Sequence, residues 1–335
     1  MEGADSPSVS VVTPFYNTSG FLGECIESVL SQTLTDFEYV LVDNASDDGS
    51  LQIAEEYAAE DPRVRVVHYD ELLPQIPNYN RALALANPEV RYCKLAQADD
   101  VLLPRCLEEM VSLADSDPEI ALVGSYTILQ HRVFLDGLDY YETVLDGAEV
   151  CRRYFEDGPY LFGSPTTHMY RMADVQSHRP FFPEGVVFAD TEAAIRVLLG
   201  GKLGFVHQVL SFVRTSNDSI STRRKTFDID ALTRRMMLEK YGREILSEER
   251  FQTLRRRLFR RHHRFLGKAL ITGRPREFWE LHKQEAAGEG LEIKPWAIGL
   301  GAVVCAIRML GNLETTLRSL WKWARKPGEQ EPRGR

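Results

Sequence analysis

The chain has 335 residues, a mass of 38.2 kDa, and 44% hydrophobic and 27% charged residues. This predicts about two globular domains and excludes a collagen-like, coiled-coil, disulfide-stapled or wholly disordered chain. The net charge of −9 is unevenly divided: residues 1–221 carry 14 Lys and Arg against 35 Asp and Glu, whereas residues 222–335 carry 26 against 14. The acidic body argues against nucleic acid as a partner, and the basic tail is suited to an anionic membrane.

The N-terminal third alternates between strand and helix patterns. β-branched runs bounded by turn residues indicate strands, and apolar residues three or four apart indicate helices. We predict strands at residues 9–12, 37–43, 64–68, 92–96 and 120–129, and helices at residues 21–32, 51–59, 78–86 and 104–114. Pro104 is expected in the first turn of its helix. This alternation is typical of βαβ units around a parallel sheet, and long arginine-rich helices are expected from residue 222 onward.

Polar residues follow three of these strands at their carboxyl ends, where open parallel sheets bind ligands. The three segments are Thr13–Asn17, Asp43–Gly49 and Gln97–Asp100. Aspartate is a hard oxygen ligand that suits Mg²⁺ or Mn²⁺ bridging phosphates. The chain has no GxGxxG, P-loop, HExxH or GxSxG motif. The sequence therefore favours acidic, metal-assisted binding of a nucleotide diphosphate.

The cysteines and the N-terminus predict a cytoplasmic protein. The cysteine count of five is odd, and no CxxC spacing occurs, so neither a disulfide framework nor a zinc site is expected and the five are expected in the core. Met1 to Ser8 has neither the basic nor the apolar region of a secretory signal.

Six segments, taken in order, resemble a family 2 glycosyltransferase with the GT-A fold. They are VVTPFYN, VLVDNASDDGS, PNYNRALALA, KLAQADDVLLP, FFPEGVVFADTEAAIRVLLGGKLGFV and LSFVRTSNDSIS. The resemblance covers residues 8–221 and implies a Rossmann-like mixed α/β sheet with helices on both faces. It also implies a nucleotide-sugar half at residues 8–115 and an acceptor half at residues 116–221. A basic helical extension at 222–326 and a disordered tail at 327–335 would follow.

The resemblance also implies a donor site. Thr13 and Tyr16 lie where the family contacts the base and ribose, Asp43 where it accepts a hydrogen bond from the base, and Asn80 in the segment that caps the nucleotide. The donor-binding residues expected in this way are Thr13, Pro14, Tyr16, Asn17, Asp43, Asn80, Gln97, Asp100 and Arg214. The donor would be a nucleotide sugar, with a UDP-sugar expected.

Two acidic positions would carry the chemistry. Asp99 matches the acid that holds a divalent metal, Mn²⁺ or Mg²⁺, on the donor diphosphate, and Asp100 follows it as a supporting or sugar-contacting acid. Asp190 matches the general base that deprotonates the acceptor hydroxyl. The chain departs from the family pattern at Gln97, where an acid is usual, and at Ala189, where a Glu is usual. Downstream of Arg214, Ser216 and Asn217 stand where the family often has a histidine.

Simpler roles stay open for these residues. Asp43, Asp47 and Asp48 could form a turn and helix cap, and Asp99 and Asp100 could cap the helix after Pro104. Asp190 could be the N-cap of a helix at 191–199. Tyr16 could pack at a loop, and Arg214 could be an ordinary surface residue.

The basic tail has features of a membrane-surface segment. Arginines at 255–264 interleave with apolar residues, which is typical of a solvated helix face or an interfacial helix. The uncharged stretch Pro295–Ile307 is shorter than the ~20 residues of a membrane span. The stretch contains Trp296. Beyond it follow further tryptophans and basic residues, which together have the character of an interfacial helix: Arg318, Trp321, Lys322, Trp323, Arg325 and Lys326. His262 and His263 are expected on a solvated face.

Together these observations predict a cytoplasmic, inverting glycosyltransferase whose tail contacts the inner face of the membrane. The acceptor would be a glycan or a lipid-linked acceptor. Two alternatives stay open. A nucleotidyltransferase would also use strand-end acids and Mg²⁺, though usually with a glycine-rich, basic loop after the first strand. A catalytically inactive GT-A module acting in assembly would fit Gln97 and Ala189.

Overall fold

The computed structural model of the protein describes residues 7–186, 188–214 and 230–311. The chain divides into two compact units, Met1–Thr226 and Phe227–Arg335. The predicted boundary at residues 221–222 lies outside the described residues, as does the predicted disordered tail at 327–335. Also outside are Ser216, Asn217, Arg318, Trp321, Lys322, Trp323, Arg325 and Lys326.

The described part of the first unit contains one mixed sheet of ten strands. The strands are β1 (Val9–Phe15), β2 (Phe37–Asn44), β3 (Val64–Tyr69), β4 (Tyr92–Leu95), β5 (Val101–Leu102), β6 (Ile120–Leu129), β7 (Arg132–Phe134), β8 (Val144–Asp146), β9 (His168–Arg171) and β10 (Lys202–Val213). Their order is β3-β2-β1-β4-β9-β6-β10-β5, with β7 paired to β6 and β8 to β10. The predicted mixed α/β sheet is confirmed.

Strands β3, β2, β1 and β4 are parallel neighbours, so their carboxyl ends share one edge of the sheet. Strand β9 runs antiparallel between β4 and β6 and therefore brings the second half of the unit against the first. Apolar side chains of β1, β2 and the neighbouring helices form the main core, including Val11, Ile26 and Leu41.

The helices in the described part of the first unit are α1 (Leu22–Leu30), α2 (Ser50–Glu60), α3 (Gln75–Leu83), α4 (Cys106–Asp115), α5 (Gly147–Phe155), α6 (Met172–Ser177) and α7 (Ala189–Leu198), with a short 3₁₀ helix at Pro165–Thr167. Pro104 precedes α4 rather than lying in its first turn, so that expectation is wrong. The N-cap of α7 is Phe188. The capping alternative for Asp190 is therefore also wrong, because Asp190 already lies inside the helix.

The second unit is helical in its described part. It contains α8 (Asp230–Ile245), α9 (Glu248–Ile271), α10 (Arg276–Gly288) and α11 (Pro295–Gly311). Helices α9 and α11 cross where Gly267 meets Gly301: a Cβ on Gly267 would lie 2.3 Å from the nitrogen of Ala302. None of the helices in the described residues combines the length and hydrophobicity that a membrane crossing requires.

Two further expectations need correction. His262 and His263 do not lie on a solvated face, because both are buried, at 0% and 2% exposure. The prediction was wrong because it was based on the many basic residues of the helix, whereas the face that carries these two rings packs inward. All five cysteines are free as predicted, but Cys305 is only half-buried whereas the other four are in the core.

Candidate functional site

Hydrogen bonds between polar residues connect the loop after β1 to the loop after β2. The Asn17 side chain donates to Asp47 Oδ1 at 2.8 Å and accepts from the Asp47 amide at 3.0 Å. Asp48 accepts from the amides of Ser19 and Ser50. Partial burial raises the pKa of Asp48, but the hydrogen bonds from Ser50 and Ser19 outweigh this effect and lower the pKa to about 2. These contacts favour a structural role for Asp47 and Asp48.

Asp43 lies at the end of β2 with a fully buried carboxylate. It accepts from the Ser46 amide at 3.2 Å, and its Oδ2 lies 2.7 Å from Nδ1 of His68. The hydrogen bond that His68 makes to Asp43, followed by the one to Asp70, raises the pKa of His68. Sequence analysis missed His68, although the parallel register places it opposite Asp43.

The predicted residues of β1 differ in exposure. The Thr13 hydroxyl is buried and lies 3.0 Å from the Tyr39 hydroxyl, so its side chain faces the core. Pro14 is also buried, whereas Tyr16 is 43% exposed. The aromatic ring of Tyr16 is therefore accessible from solvent at this strand end.

The acidic turn, residues 97–100, follows β4. Oδ2 of Asp100 accepts from the Thr166 hydroxyl and Oδ1 from the Arg214 amide at 3.0 Å. The Thr166 hydroxyl in turn accepts from the Gln97 amide, and the Gln97 side chain donates to the Tyr79 hydroxyl at 2.9 Å. The structure therefore brings Gln97, Asp100 and Arg214 together around Thr166, which sequence analysis did not single out.

The two carboxyls of the turn differ in environment. Burial, followed by the charge of Asp99, raises the pKa of Asp100 to about 8. Burial also raises the pKa of Asp99, which is half-buried and feels the opposing charge of Arg214. Asp100 is thus held by its protein partners, whereas Asp99 borders an open cleft of about 520 Å³ together with Arg214 and Phe21.

The described residues contain no group of three or more His, Cys, Asp or Glu side chains that could hold a metal ion. In nucleotide sites, however, Mg²⁺ is typically bound through one or two carboxylates plus substrate phosphates. Asp99 is a partly buried carboxylate at a strand end and fits that arrangement. The donor set does not fit a metal held by the protein alone.

A buried lysine stabilises the backbone around Thr166, the residue that binds the acidic turn. Lys94 of β4 is fully buried, and its ammonium group donates to the carbonyls of Thr166 at 2.7 Å and His168 at 3.2 Å. Burial lowers its pKa. A charged residue inside an otherwise apolar strand, YCKL, was the sequence signal that could have revealed this support.

Asn80 and Asp190 lie in other parts of the first unit. The Asn80 amide bonds both backbone groups of Phe182, accepting at 2.9 Å and donating at 2.8 Å, and also reaches Glu184. Asn80 therefore connects α3 by hydrogen bonds to the segment that precedes α7. Asp190 is half-buried in the first turn of α7, and its Oδ1 accepts from the Thr191 amide at 2.9 Å.

The Arg214 side chain is engaged at the edge of the cleft. It forms an ion pair with Glu24, and its guanidinium lies 5.1 Å from the centre of the Phe21 ring. The side chain is 22% exposed. It thus lies partly packed beside Asp99 rather than extended into solvent.

Residues 10–178, half of the chain, match the family model of glycosyl transferase family 2. The chain belongs to this family and is a glycosyltransferase. It is 26% identical over 231 residues to glycosyltransferase GlyG of Streptococcus pneumoniae, a match covering 67% of this chain and 75% of GlyG. It is 29% identical over 237 residues to putative glycosyltransferase EpsE of Bacillus subtilis, covering 67% and 79%.

Solved structures with known ligands share the fold. Staphylococcus aureus TarS 1–349 in complex with UDP-GlcNAc superposes with a TM-score of 0.61 at 19% identity, covering 77% of this chain and 73% of TarS. The mannosyltransferase PcManGT of Pyrobaculum calidifontis, in complex with GDP-Man and Mn²⁺, gives 0.55 at 18%, covering 90% and 81%. These similarities confirm the expected GT-A fold.

Proposed function

We propose that the protein transfers a sugar from a nucleotide-sugar donor, with a UDP-sugar preferred, to a hydroxyl of a glycan or lipid-linked acceptor with inversion. The observation that carries this proposal is the acidic turn at the shared carboxyl edge of the parallel strands. There Asp100 is fixed by Thr166 and the Arg214 amide, whereas Asp99 borders the open cleft.

The donor's nucleotide would lie across the ends of β1, β2 and β4. Asp43 has accepting capacity beyond its bonds to Ser46 and His68, because an ionised carboxylate offers about four lone-pair sites, and it would accept from the base. The exposed ring of Tyr16 would contact the base or ribose, whereas Thr13 and Pro14 would contribute through their backbone. The remaining proposed donor-site residues are Asn17, Asn80, Gln97, Asp100 and Arg214.

Asp99 would hold Mn²⁺ or Mg²⁺ together with the donor diphosphate. The bound cation would supply Lewis-acid stabilisation of the leaving nucleoside diphosphate. Arg214, beside Asp99, would add positive charge at the same cleft. The GDP-Man and Mn²⁺ bound to PcManGT support the use of a divalent cation by a protein of this fold.

Asp190 would act as the general base. A hydroxyl is a poor nucleophile until a carboxylate takes its proton, and one base with a stabilised leaving group suffices for a single displacement. The carboxylate of Asp190, in the first turn of α7, is the proposed proton acceptor.

We also propose residues 8–115 as the donor half and 116–221 as the acceptor half, with the basic extension at 222–326 attaching a cytoplasmic enzyme to the inner face of the membrane. Family membership favours sugar transfer over the nucleotidyltransferase alternative. Against an inactive assembly module, the chain retains both Asp99 and Asp190.

A thermal-shift screen of nucleotide sugars with and without Mn²⁺ tests the proposal. A ligand that binds only the folded state stabilises it by about 2.7 kcal/mol at one hundred times its Kd. We expect one UDP-sugar to raise the melting temperature in the presence of Mn²⁺. Equal, small effects of all nucleotide sugars would contradict the proposal.

A further inference from the structure

A cleft of about 660 Å³ lies within the helical unit, between one face of α9 and the segment that leads into α11. Six cationic side chains and two carboxylates line it. We call it the arginine cleft. Both carboxylates are already paired: Glu239 with Arg255 at 2.7 Å, and Glu292 with Lys294 at 3.0 Å.

Four guanidinium groups of the cleft have no ion pair among the described residues: Arg235, Arg256, Arg260 and Arg264. Three of them lie on α9 at spacings of four residues and therefore on one face of the helix. Their side chains are exposed. The cleft thus holds four guanidinium groups without an ion pair, an arrangement that suits an anion with several oxygen acceptors.

Arg235 shows that this charge is not merely a surface feature. Its side chain is only 6% exposed, and its Nε has no hydrogen-bond partner. It donates to the Glu292 carbonyl at 3.3 Å and lies 5.1 Å from the Phe259 ring centre. The carboxylates of Glu239 and Glu292 interact with Arg235 electrostatically but form no ion pair with it. A buried charge without an ion-pair partner costs free energy of folding, so an external anion would supply the missing partner.

The cleft continues into an exposed apolar stripe on α11. Trp296 and Leu300 line the cleft, and both are mostly exposed, at 65% and 59%. Val303, Ile307 and Leu310 continue the stripe at alternating spacings of three and four residues, and they are also exposed. Apolar residues with tryptophan, beside arginines, are typical of a helix that lies in a membrane interface.

We propose that the arginine cleft binds the phosphate group of an anionic membrane lipid while the α11 stripe enters the adjoining hydrocarbon. A soluble phosphate would match the guanidinium groups but would leave the apolar stripe in water. Nucleic acid would likewise leave the stripe uncovered. This inference rests on the membrane attachment proposed above and is independent of the sugar-transfer chemistry.

The test is co-sedimentation of the full chain with vesicles of phosphatidylcholine, and with vesicles of phosphatidylcholine and phosphatidylglycerol in equal parts. We expect binding to the anionic vesicles and little to the neutral ones. Arg260→Gln should weaken binding about fivefold, the usual contribution of an arginine at such a surface. Arg257→Gln, the same change on α9 outside the cleft, is the matched control and should weaken binding less than about twofold.

A second variant tests the buried group. Arg235→Met keeps an unbranched apolar stem but removes the charge, so it should lower anionic-vesicle binding by about fivefold or more while leaving the melting temperature unchanged or higher. A lower melting temperature with unchanged vesicle binding would show that Arg235 serves the fold alone, and would overturn the proposal.

The remaining outcomes are also decisive. Equal losses for Arg260→Gln and Arg257→Gln would indicate diffuse attraction and contradict a cleft site. A melting temperature raised by inorganic phosphate, together with vesicle binding that Arg260→Gln leaves unchanged, would reassign the cleft to a soluble ligand and contradict the proposal. Absence of binding to either vesicle would mean a different occupant. Donor turnover, measured in the same preparations without vesicles, separates all of these from a failure of sugar transfer.

Discussion

The hydroxyl of Thr166 donates a hydrogen bond to the carboxylate of Asp100, which lies 66 residues earlier in the chain. The same hydroxyl accepts from the Gln97 amide, and the Thr166 carbonyl accepts from Lys94. One threonine before β9 therefore fixes both ends of the acidic turn. This contact joins the two halves of the first unit at the proposed donor site.

Thr166→Val should destabilise the protein by about 1–3 kcal/mol, the usual cost of leaving a buried polar partner unsatisfied. Valine keeps the volume of threonine but leaves Asp100 Oδ2 and the Gln97 amide without their hydroxyl. Thr166→Ser keeps the hydroxyl and is the matched control. Urea unfolding of the two variants measures the difference, and equal stabilities would show that the hydroxyl contributes nothing.

The alternation of strands and helices was predictable because each element carries its own periodicity, as in the β-branched run of β1. The carboxyl-edge position of Asp43 and Asp99 followed from the same pattern. The roles of Thr166 and His68 were not predictable, because they depend on which strands become neighbours and in what register. Insertion of β9 between β4 and β6 is a long-range pairing that no local pattern specifies.

The burial of His262 and His263 was missed for a related reason. Their helix reads as uniformly basic, but packing in the helical unit decides which face turns inward. Lys294 donates its backbone amide to Nε2 of His263 at 3.0 Å, a contact that comes from a linker 31 residues away.

The helical unit should lose stability in mild acid through His262. Burial, followed by the charges of His282 and Arg235, lowers the pKa of His262 to about 2. In the unfolded chain the pKa is about 6.5, so below that value the unfolded state binds a proton that the folded state does not. The contribution of His262 to the free energy of unfolding is therefore complete above about pH 6.5. Below that pH it falls by up to about 1.4 kcal/mol per pH unit.

Melting curves at about pH 7.5 and about pH 5, on the two sides of the ordinary histidine pKa, measure this effect. The His262→Phe variant keeps an aromatic ring but cannot titrate, so it should lose less stability on acidification than the unaltered protein. The same decline in both proteins would assign the pH dependence to other groups.

Asp190→Asn should lower transfer by about 10²–10⁴-fold, the usual contribution of a general base, while preserving donor binding and melting temperature. Asparagine retains an oxygen to accept from the Thr191 amide but cannot take a proton. Transfer rates at saturating donor and acceptor, beside a melting curve, measure the effect. Turnover near that of the unaltered protein would remove Asp190 from the mechanism.

The most direct test of the central claim, that Asp99 holds a metal-bound nucleotide sugar, is calorimetric donor binding with and without Mn²⁺. We predict that Asp99→Asn abolishes the Mn²⁺-dependent part of binding while the melting temperature is maintained. Asp136→Asn, an exposed acid with no proposed role, is the matched control and should bind donor as the unaltered protein does. Unaltered donor affinity and metal dependence in Asp99→Asn would contradict the account.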